Sequence, residues 1–318
     1  MRKSLTPRYS ALSPACMKSL TVFSPAKVNL FLKVLGKRKD GYHELVTLFH
    51  KISLDDKIII SKTSKPGFHF RSDHPKLKKA KDNLIYKAYV TLKKVVFWKG
   101  GVQVILKKRI PVAAGLGGGS SNAACFLMGM NRLFGFGLSR AKLVEIGSRL
   151  GADVPFFLYG TNQAFGLGKG ERIKLWPCRK KYWFVLVVSP YEIPTAEVYK
   201  RLGVPELTRI SPDATISSDF LRKAQGRYFL RNDLYLTACQ MRPQLKQIDT
   251  LFDRLGVAQR LMSGSGPTFF SLHNSKKEAE RIARKLRRTR IRAHVFVCRT
   301  FMRGRRENNG SENFSEGR

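Results

Sequence analysis

The chain has 318 residues and a formal net charge of +38, with 60 Lys and Arg against 22 Asp and Glu. That length allows two ordinary domains with real cores, its 43% hydrophobic content is that of a globular protein, and no apolar run approaches the roughly 18 to 20 residues of a membrane span. Cys16, Cys125, Cys178, Cys239 and Cys298 are odd in number, far apart and without a Cys-x-x-Cys pair, and no histidines stand at i, i+4, which argues against a disulfide frame or structural zinc and for reduced thiols in a cytosol.

Residues 1 to 16 are basic, Ser-rich and free of acids, as in a short targeting peptide, but Met17 offers a second start directly before the first strand. An over-long start, poorly ordered, is the expectation for this segment, and the cytoplasm is the expected location. Thr21 to Leu35 alternates as a strand, with Ala26, Val28, Leu30 and Leu32 on one face and Lys27, Asn29, Phe31 and Lys33 on the other. Further strands are predicted at about 45 to 53, 56 to 61 and 101 to 107, with a helix over Asn83 to Phe97 between them.

Residues 111 to 124 read Pro-Val-Ala-Ala-Gly-Leu-Gly-Gly-Gly-Ser-Ser-Asn-Ala-Ala. Glycines there permit backbone conformations closed to other residues and leave no Cβ to hold a ligand away, so successive N–H groups can face an anion. A helix from about Ser120 to Phe134 adds unpaired N–H groups and the positive end of its dipole. No Gly-Lys-Ser/Thr follows at Walker A spacing, so the loop is of another phosphate-binding kind. A second helix starts at the N-cap Ser139 and ends near Leu150-Gly151, followed by short strands at Ala164 to Leu167 and Ile173 to Leu175.

Beyond Cys178 to Lys181 the pattern predicts a strand over Trp183 to Val188, a helix over Thr195 to Leu202, one long helix over Leu236 to Leu255 and strand pieces at Leu261 and Thr268 to Leu272. A helix over Lys276 to Arg288 and a last strand over Ile291 to Val297 follow. Arg303 to Arg318 is polar and reads as a disordered tail. Neither end supplies the basicity, which is spread over the body. Such a field attracts nucleotides and nucleic acid generally. Its dispersal along helices such as Lys276 to Arg290 reads as solvated faces, not as a specific nucleic-acid site.

Four clusters remain: Ser24-Pro25-Ala26-Lys27-Val28-Asn29-Leu30 with Gly41-Tyr42-His43-Glu44 downstream, the glycine loop, Gly151-Ala152-Asp153-Val154-Pro155, and Ser263-Gly264-Ser265-Gly266-Pro267-Thr268. Taken together, over about residues 20 to 299, they resemble the GHMP kinases, the small-molecule kinases of galactose, homoserine and mevalonate type. In detail they are most similar to the branch whose alcohol substrate carries a cytidine diphosphate. The resemblance implies an α+β fold in two domains, an S5-like N-terminal domain over residues 17–180 and a ferredoxin-like C-terminal domain over residues 181–302, with the active site between them.

It also implies roles. ATP and Mg2+ are the expected cofactors, and the alcohol is the expected partner. Gly115, Leu116, Gly117, Gly118, Gly119, Ser120 and Ser121 would hold the ATP phosphates, with Ser120 or Ser121 near the metal. Asn83, Leu84, Lys108 and Pro111 match the pattern around adenine. Asp153 would receive the hydroxyl proton, although Asp in Gly-Ala-Asp is also a common turn or cap residue. Lys27 would keep that carboxylate ionised and neutralise charge on the reacting oxygen. Asn29 would hold substrate, Tyr42, His43 and Tyr199 the cytosine, and Thr195 the alcohol. The metal's protein ligands stay open, because the glutamate that mevalonate-type kinases carry about eleven residues before the catalytic Asp is absent. That region offers Lys142 and, nearby, only Glu145. Two other readings remain: a kinase of another alcohol, such as homoserine or mevalonate, and a basic nucleic-acid-binding protein on an S5-like fold.

Overall fold

A computed structural model describes residues 17–77, 83–205 and 230–302. The disorder expected of residues 1–16 and 303–318 lies outside the described residues. Strands β1 (Ser19–Lys37) and β2 (His43–Thr63) form a long antiparallel hairpin. The two strands predicted within the second arm are one. Its register passes from Pro25 opposite Asp55 to Ala26 opposite Ile52, so Ser53 and Leu54 bulge out and the ladder continues instead of breaking.

A second bulge corrects the face assignment of β1. Asn29 pairs with Phe49 and Phe31 with Leu48, leaving Leu30 as an extra residue. One inserted residue exchanges the faces beyond it. Phe31 therefore joins Ala26, Val28 and Leu30 in one core cluster, while Leu32 lines the same cavity as Lys27 and Asn29.

Strands β3 (Gly67–Ser72), β4 (Gly101–Lys107), β5 (Gln163–Gly168) and β6 (Arg172–Leu175) extend this sheet. Strand β3 escapes the sequence reading, though Phe68 and Phe70 alternate on it and pack on the core. Helices α1 (Leu84–Lys93), α2 (Gly118–Phe134), α3 (Arg140–Ser148) and α4 (Val154–Leu158) supply the other half of that core. Helix α2 stops at Gly135, which takes φ +68°, and Ser139 caps α3 through the Lys142 N–H at 3.2 Å.

Later elements are β7 (Trp183–Val188), α5 (Thr195–Arg201), β8 (Arg231–Asn232), α6 (Tyr235–Met241), α7 (Leu245–Arg254), β9 (Arg260–Met262), β10 (Thr268–His273), α8 (Lys276–Arg287) and β11 (His294–Arg299). Strands β11, β7, β10 and β9, in that order, make a second sheet. The α+β expectation holds. The single helix expected over Leu236 to Leu255 is two, because Pro243 cannot donate its N–H and holds Arg242 out of the helical region, at φ −140° and ψ 84°. The last strand starts at His294 instead of Ile291. Helix α8 buries Ala279, Ile282, Ala283 and Leu286 and turns its lysines and arginines outward, as a solvated basic face does. Among the described residues no helix is long and apolar enough to cross a membrane.

Backbone pairing and a shared apolar cluster stitch the sheets together. Strand β8 leaves the second half of the chain to pair in parallel with β1, Phe31 opposite Arg231 and Leu32 opposite Asn232. On the other side, Thr300 bridges to Ile52, and the fully buried His50 reaches both Gln163 Oε1, at 3.1 Å, and Thr300 Oγ1, at 3.0 Å. A carboxamide oxygen only accepts, so Nδ1 carries the proton and Nε2 accepts from the Thr300 hydroxyl. Burial pushes the imidazole pKa down to about 4. Between that value and the ordinary His value of about 6.5 the unfolded chain binds a proton that the folded chain does not, so stability falls as pH falls through this window. The loss from His50 should reach at most about 3 kcal/mol at pH 4. Urea titrations at pH 7 and pH 4.5 should show a smaller pH effect in His50→Gln; an identical effect in both proteins would remove His50 from the account.

Candidate active site

The glycine loop is held from below by a buried polar network. Asp56, fully buried on β2, accepts the backbone N–H groups of Arg109 and Ile110 through Oδ1, both at 2.8 Å. Its Oδ2 accepts from Lys108 Nζ at 2.7 Å and Asn122 Nδ2 at 2.9 Å. Burial draws the Lys108 pKa down, against the pull of Asp56. Asn122 Nδ2 also reaches Ser24 Oγ at 2.9 Å, and that hydroxyl donates to Ser121 Oγ at 2.7 Å. One carboxylate therefore fixes both the entry to the loop and the helix that leaves it.

Above this network Gly117 caps α2 in the left-handed conformation, φ +66°, with no side-chain cap bond. The first N–H groups of the helix are left to face a ligand. Leu84 packs against Gly119 and Lys108 Nζ against Gly118, where a Cβ would come within 3.1 Å of the ammonium. These two residues thus border the loop. Asn83, the residue before Leu84, has its carboxamide oxygen engaged, accepting from the Ile85 N–H at 2.9 Å as the cap of α1. Ser121 departs from expectation: its hydroxyl is fully buried toward Ser24, and its N–H is bonded to the Gly117 carbonyl. Ser120 is half-buried, with its hydroxyl 4.0 Å from where a Cβ on Gly151 would lie, close to the segment that bears Asp153.

Lys27 and Asp153 meet at the centre. Lys27 Nζ lies 2.7 Å from Asn29 Oδ1, 3.2 Å from the Gly115 carbonyl and 3.3 Å from Asp153 Oδ2. An ammonium has three donors, so each has an oxygen. Asn29 is oriented in turn, donating through Nδ2 to Thr47 Oγ1 at 2.7 Å, while that hydroxyl donates to the Phe31 carbonyl. Lys27 is 5% exposed and Asp153 29%, which leaves the carboxylate as the member of the pair that faces solvent. Asp153 stands at the N-cap position of α4 but makes no side-chain cap bond. Its carboxylate is therefore not spent on capping the helix.

The same cavity, of about 160 Å³, is lined on its far side by Thr195, Tyr199, Lys169 and Ser265. Thr195 Oγ1 and Ser265 Oγ are 2.8 Å apart. The Tyr199 and His43 rings lie 5.1 Å apart between centroids at 31°. Burial, and then the Asp153 charge, push the Tyr199 phenol up, and burial together with Lys37 pulls the His43 pKa down, which favours a neutral imidazole. Tyr42 is well exposed, at the mouth. Gly115 and Gly117 of the glycine loop, the Lys27–Asp153 pair and Tyr199 thus line a single cleft.

The family models of the GHMP kinases N terminal domain and the GHMP kinases C terminal domain match residues 83–161 and 220–291. A 4-diphosphocytidyl-2-C-methyl-D-erythritol kinase of Syntrophus aciditrophicus is 40% identical over 275 residues, 84% of this chain and 95% of that protein. The chain belongs to this GHMP kinase family. Another of its members, from Nostoc sp., is 35% identical over 91% of this chain and 98% of its own length. A crystal structure of 4-(cytidine 5'-diphospho)-2C-methyl-D-erythritol kinase superposes with a TM-score of 0.72 at 34% identity, covering 88% of this chain and 98% of that one. A homoserine kinase from Cytophaga hutchinsonii, at 17% identity and a TM-score of 0.64, shares the fold.

For a GHMP kinase, the sequence reading leaves out residues that hold the site. Asp56 and Thr47 sit on a strand read only for its apolar pattern, and nothing local marks them. The Ser263–Thr268 segment carried a visible signal. Ser263 Oγ donates to the Gly115 carbonyl at 3.1 Å, Thr268 Oγ1 to the Ala114 carbonyl at 2.6 Å, and a Cβ on Gly115 would meet the Ser263 carbonyl oxygen at 2.5 Å. The two glycine-rich loops are therefore packed backbone to backbone. Glu145 is spoken for on the exposed side of α3, 2.8 Å from both Lys142 and Arg149. Among the described residues no three His, Cys, Asp or Glu side chains cluster for a metal.

Proposed function

We propose that this chain is the ATP-dependent kinase that transfers the γ-phosphate to the 2-hydroxyl of 4-diphosphocytidyl-2-C-methyl-D-erythritol, giving the 2-phosphate and ADP in the cytoplasmic non-mevalonate route to isoprenoid precursors. The observation that carries it is the Lys27–Asp153 pair, 3.3 Å apart, standing between a phosphate-type glycine loop and the His43–Tyr199 aromatic pair. Phosphoryl transfer asks a protein mainly for alignment and charge neutralisation. Asp153 accepts the proton of the attacking hydroxyl as the new P–O bond forms and the bond to ADP breaks. Lys27, pinned by Asn29 and Gly115, sets its ammonium beside the reacting oxygen and lowers the cost of the charge there. Gly115 to Ser120 hold the phosphates, Leu84, Lys108 and Pro111 border the adenine side, and Thr195 approaches the alcohol. The N-terminal domain up to about residue 180 carries ATP.

Magnesium is a hard cation that takes oxygen ligands and usually enters with phosphate. The site fits such an ion through Asp153 and the Ser120 hydroxyl, with the remaining ligands coming from ATP and water. Bound there, it would supply neutralisation of phosphate charge.

ADP release measured with the cytidyl alcohol, 2-C-methylerythritol 4-phosphate, homoserine and mevalonate tests the assignment. Only the first should be turned over efficiently; comparable rates on any other would hand the chain to a different GHMP kinase activity. Tyr199→Ala, which removes a stacking face worth about 1 to 3 kcal/mol, should raise the Michaelis constant for the cytidyl substrate roughly tenfold with the ATP constant unchanged.

A further inference from the structure

One cation in the cleft stands apart from the Lys27–Asp153 pair and the glycine loop. Lys169, in the turn between β5 and β6, lines the same cavity as Lys27 and Asp153. The turn is built around it: Gly168 and Gly170 take φ of +72° and +115°, and the Glu171 carboxylate accepts the Lys169 backbone N–H at 2.7 Å. Gly170 lies against Ala152, so the turn is packed on the segment that bears Asp153. The ammonium rests 4.2 Å from the centroid of the Tyr42 ring. Among the described residues it has no ion-pair partner. The charge of Asp40 is near enough to feel it, but that carboxylate is bonded to Arg38.

We propose that Lys169 binds the diphosphate bridge of the alcohol substrate. The inference rests on the cytidyl-alcohol reading and names the residue that would join its two ends. With the hydroxyl at Asp153 and the base at Tyr42, His43 and Tyr199, the intervening diphosphate has to cross between them, where Lys169 stands. The ATP phosphates belong to the glycine loop, on the other side of Asp153. A charge-assisted N–H···O bond to a phosphate oxygen is stronger than an exposed cation–ring contact, so the ammonium exchanges the Tyr42 face for phosphate when substrate enters. Lys169 is a substrate-binding residue: it holds the diphosphate equally in ground and transition states and does not touch the reacting atoms.

Calorimetric titration of the full chain with CDP, and separately with cytidine, tests this in the wild type, Lys169→Met and Lys169→Arg. Lys169→Met should weaken CDP binding by about tenfold or more, the size of one hydrogen bond to a charged group, while cytidine binding stays unchanged. Lys169→Arg should keep CDP affinity within a few-fold. In turnover, Lys169→Met should raise the Michaelis constant for the cytidyl alcohol while leaving kcat nearly unaltered. Equal CDP affinity in wild type and Lys169→Met, or an equal loss of CDP and cytidine, overturns the role given to Lys169 and leaves the kinase assignment standing. A wild type that binds neither CDP nor cytidine overturns both.

Discussion

Asp153→Asn is expected to lower turnover by between about 100-fold and 10,000-fold, the range over which a positioned base contributes, while leaving the fold in place. The substitution keeps the shape and removes the negative charge and the basicity. It costs the fold little, because the carboxylate makes no cap bond to α4 and is the more exposed member of its pair. Lys27→Met should cause a loss of similar order by a different route. It deletes the charge at the reacting oxygen, removes the 2.7 Å bond to Asn29 Oδ1 and leaves the Gly115 carbonyl with the Ser263 hydroxyl alone. Single-turnover rates at saturating ATP, with circular dichroism as the control for folding, are the measurement. Near wild-type rates in folded Asp153→Asn would remove this carboxylate from the chemistry.

Gly117→Val should weaken ATP binding by roughly tenfold to a hundredfold and disturb the cytidyl substrate less. Valine pays about 1 to 3 kcal/mol for a left-handed backbone, which at 1.4 kcal/mol per decade spans that range. Its Cβ would also come within 3.0 Å of the Lys27 stem and 3.2 Å of Phe157. Both effects move the first turn of α2 away from the phosphates it faces. Separate calorimetric titrations with ATP and with the cytidyl alcohol distinguish this from general damage, which would lower both affinities alike.

The glycine loop, its helix, the cap at Ser139 and most strands of the second sheet are legible in the sequence because local chemistry decides them. What is not legible depends on partners far away. The extra residue at Leu30 shows only in the pairing with β2, yet it sends Leu32 instead of Phe31 to the cleft. Asp56 reads as one more acid on a strand until Arg109, Ile110 and Asn122 are seen converging on it. Ser120 and Ser121 look interchangeable in the chain, and only the hydroxyl of Ser24 on β1 tells them apart. Lys169 goes unnoticed among so many cations because its meaning is its position, not its type.

The two-residue strand β8 bears on how this enzyme could be taken apart. Asn232, paired with β1, also donates to the Met262 and Gly264 carbonyls at 2.8 and 2.7 Å, next to the serine that holds the Gly115 carbonyl. A fragment ending near residue 180 would keep every residue expected to grip nucleotide, but it would lose the neighbour of β1 and the loop on which Gly115 is seated. Such a piece is not a portable nucleotide module, and a chimera that exchanges second halves between relatives has to inherit Asn232, Ser263 and Thr268 as a set.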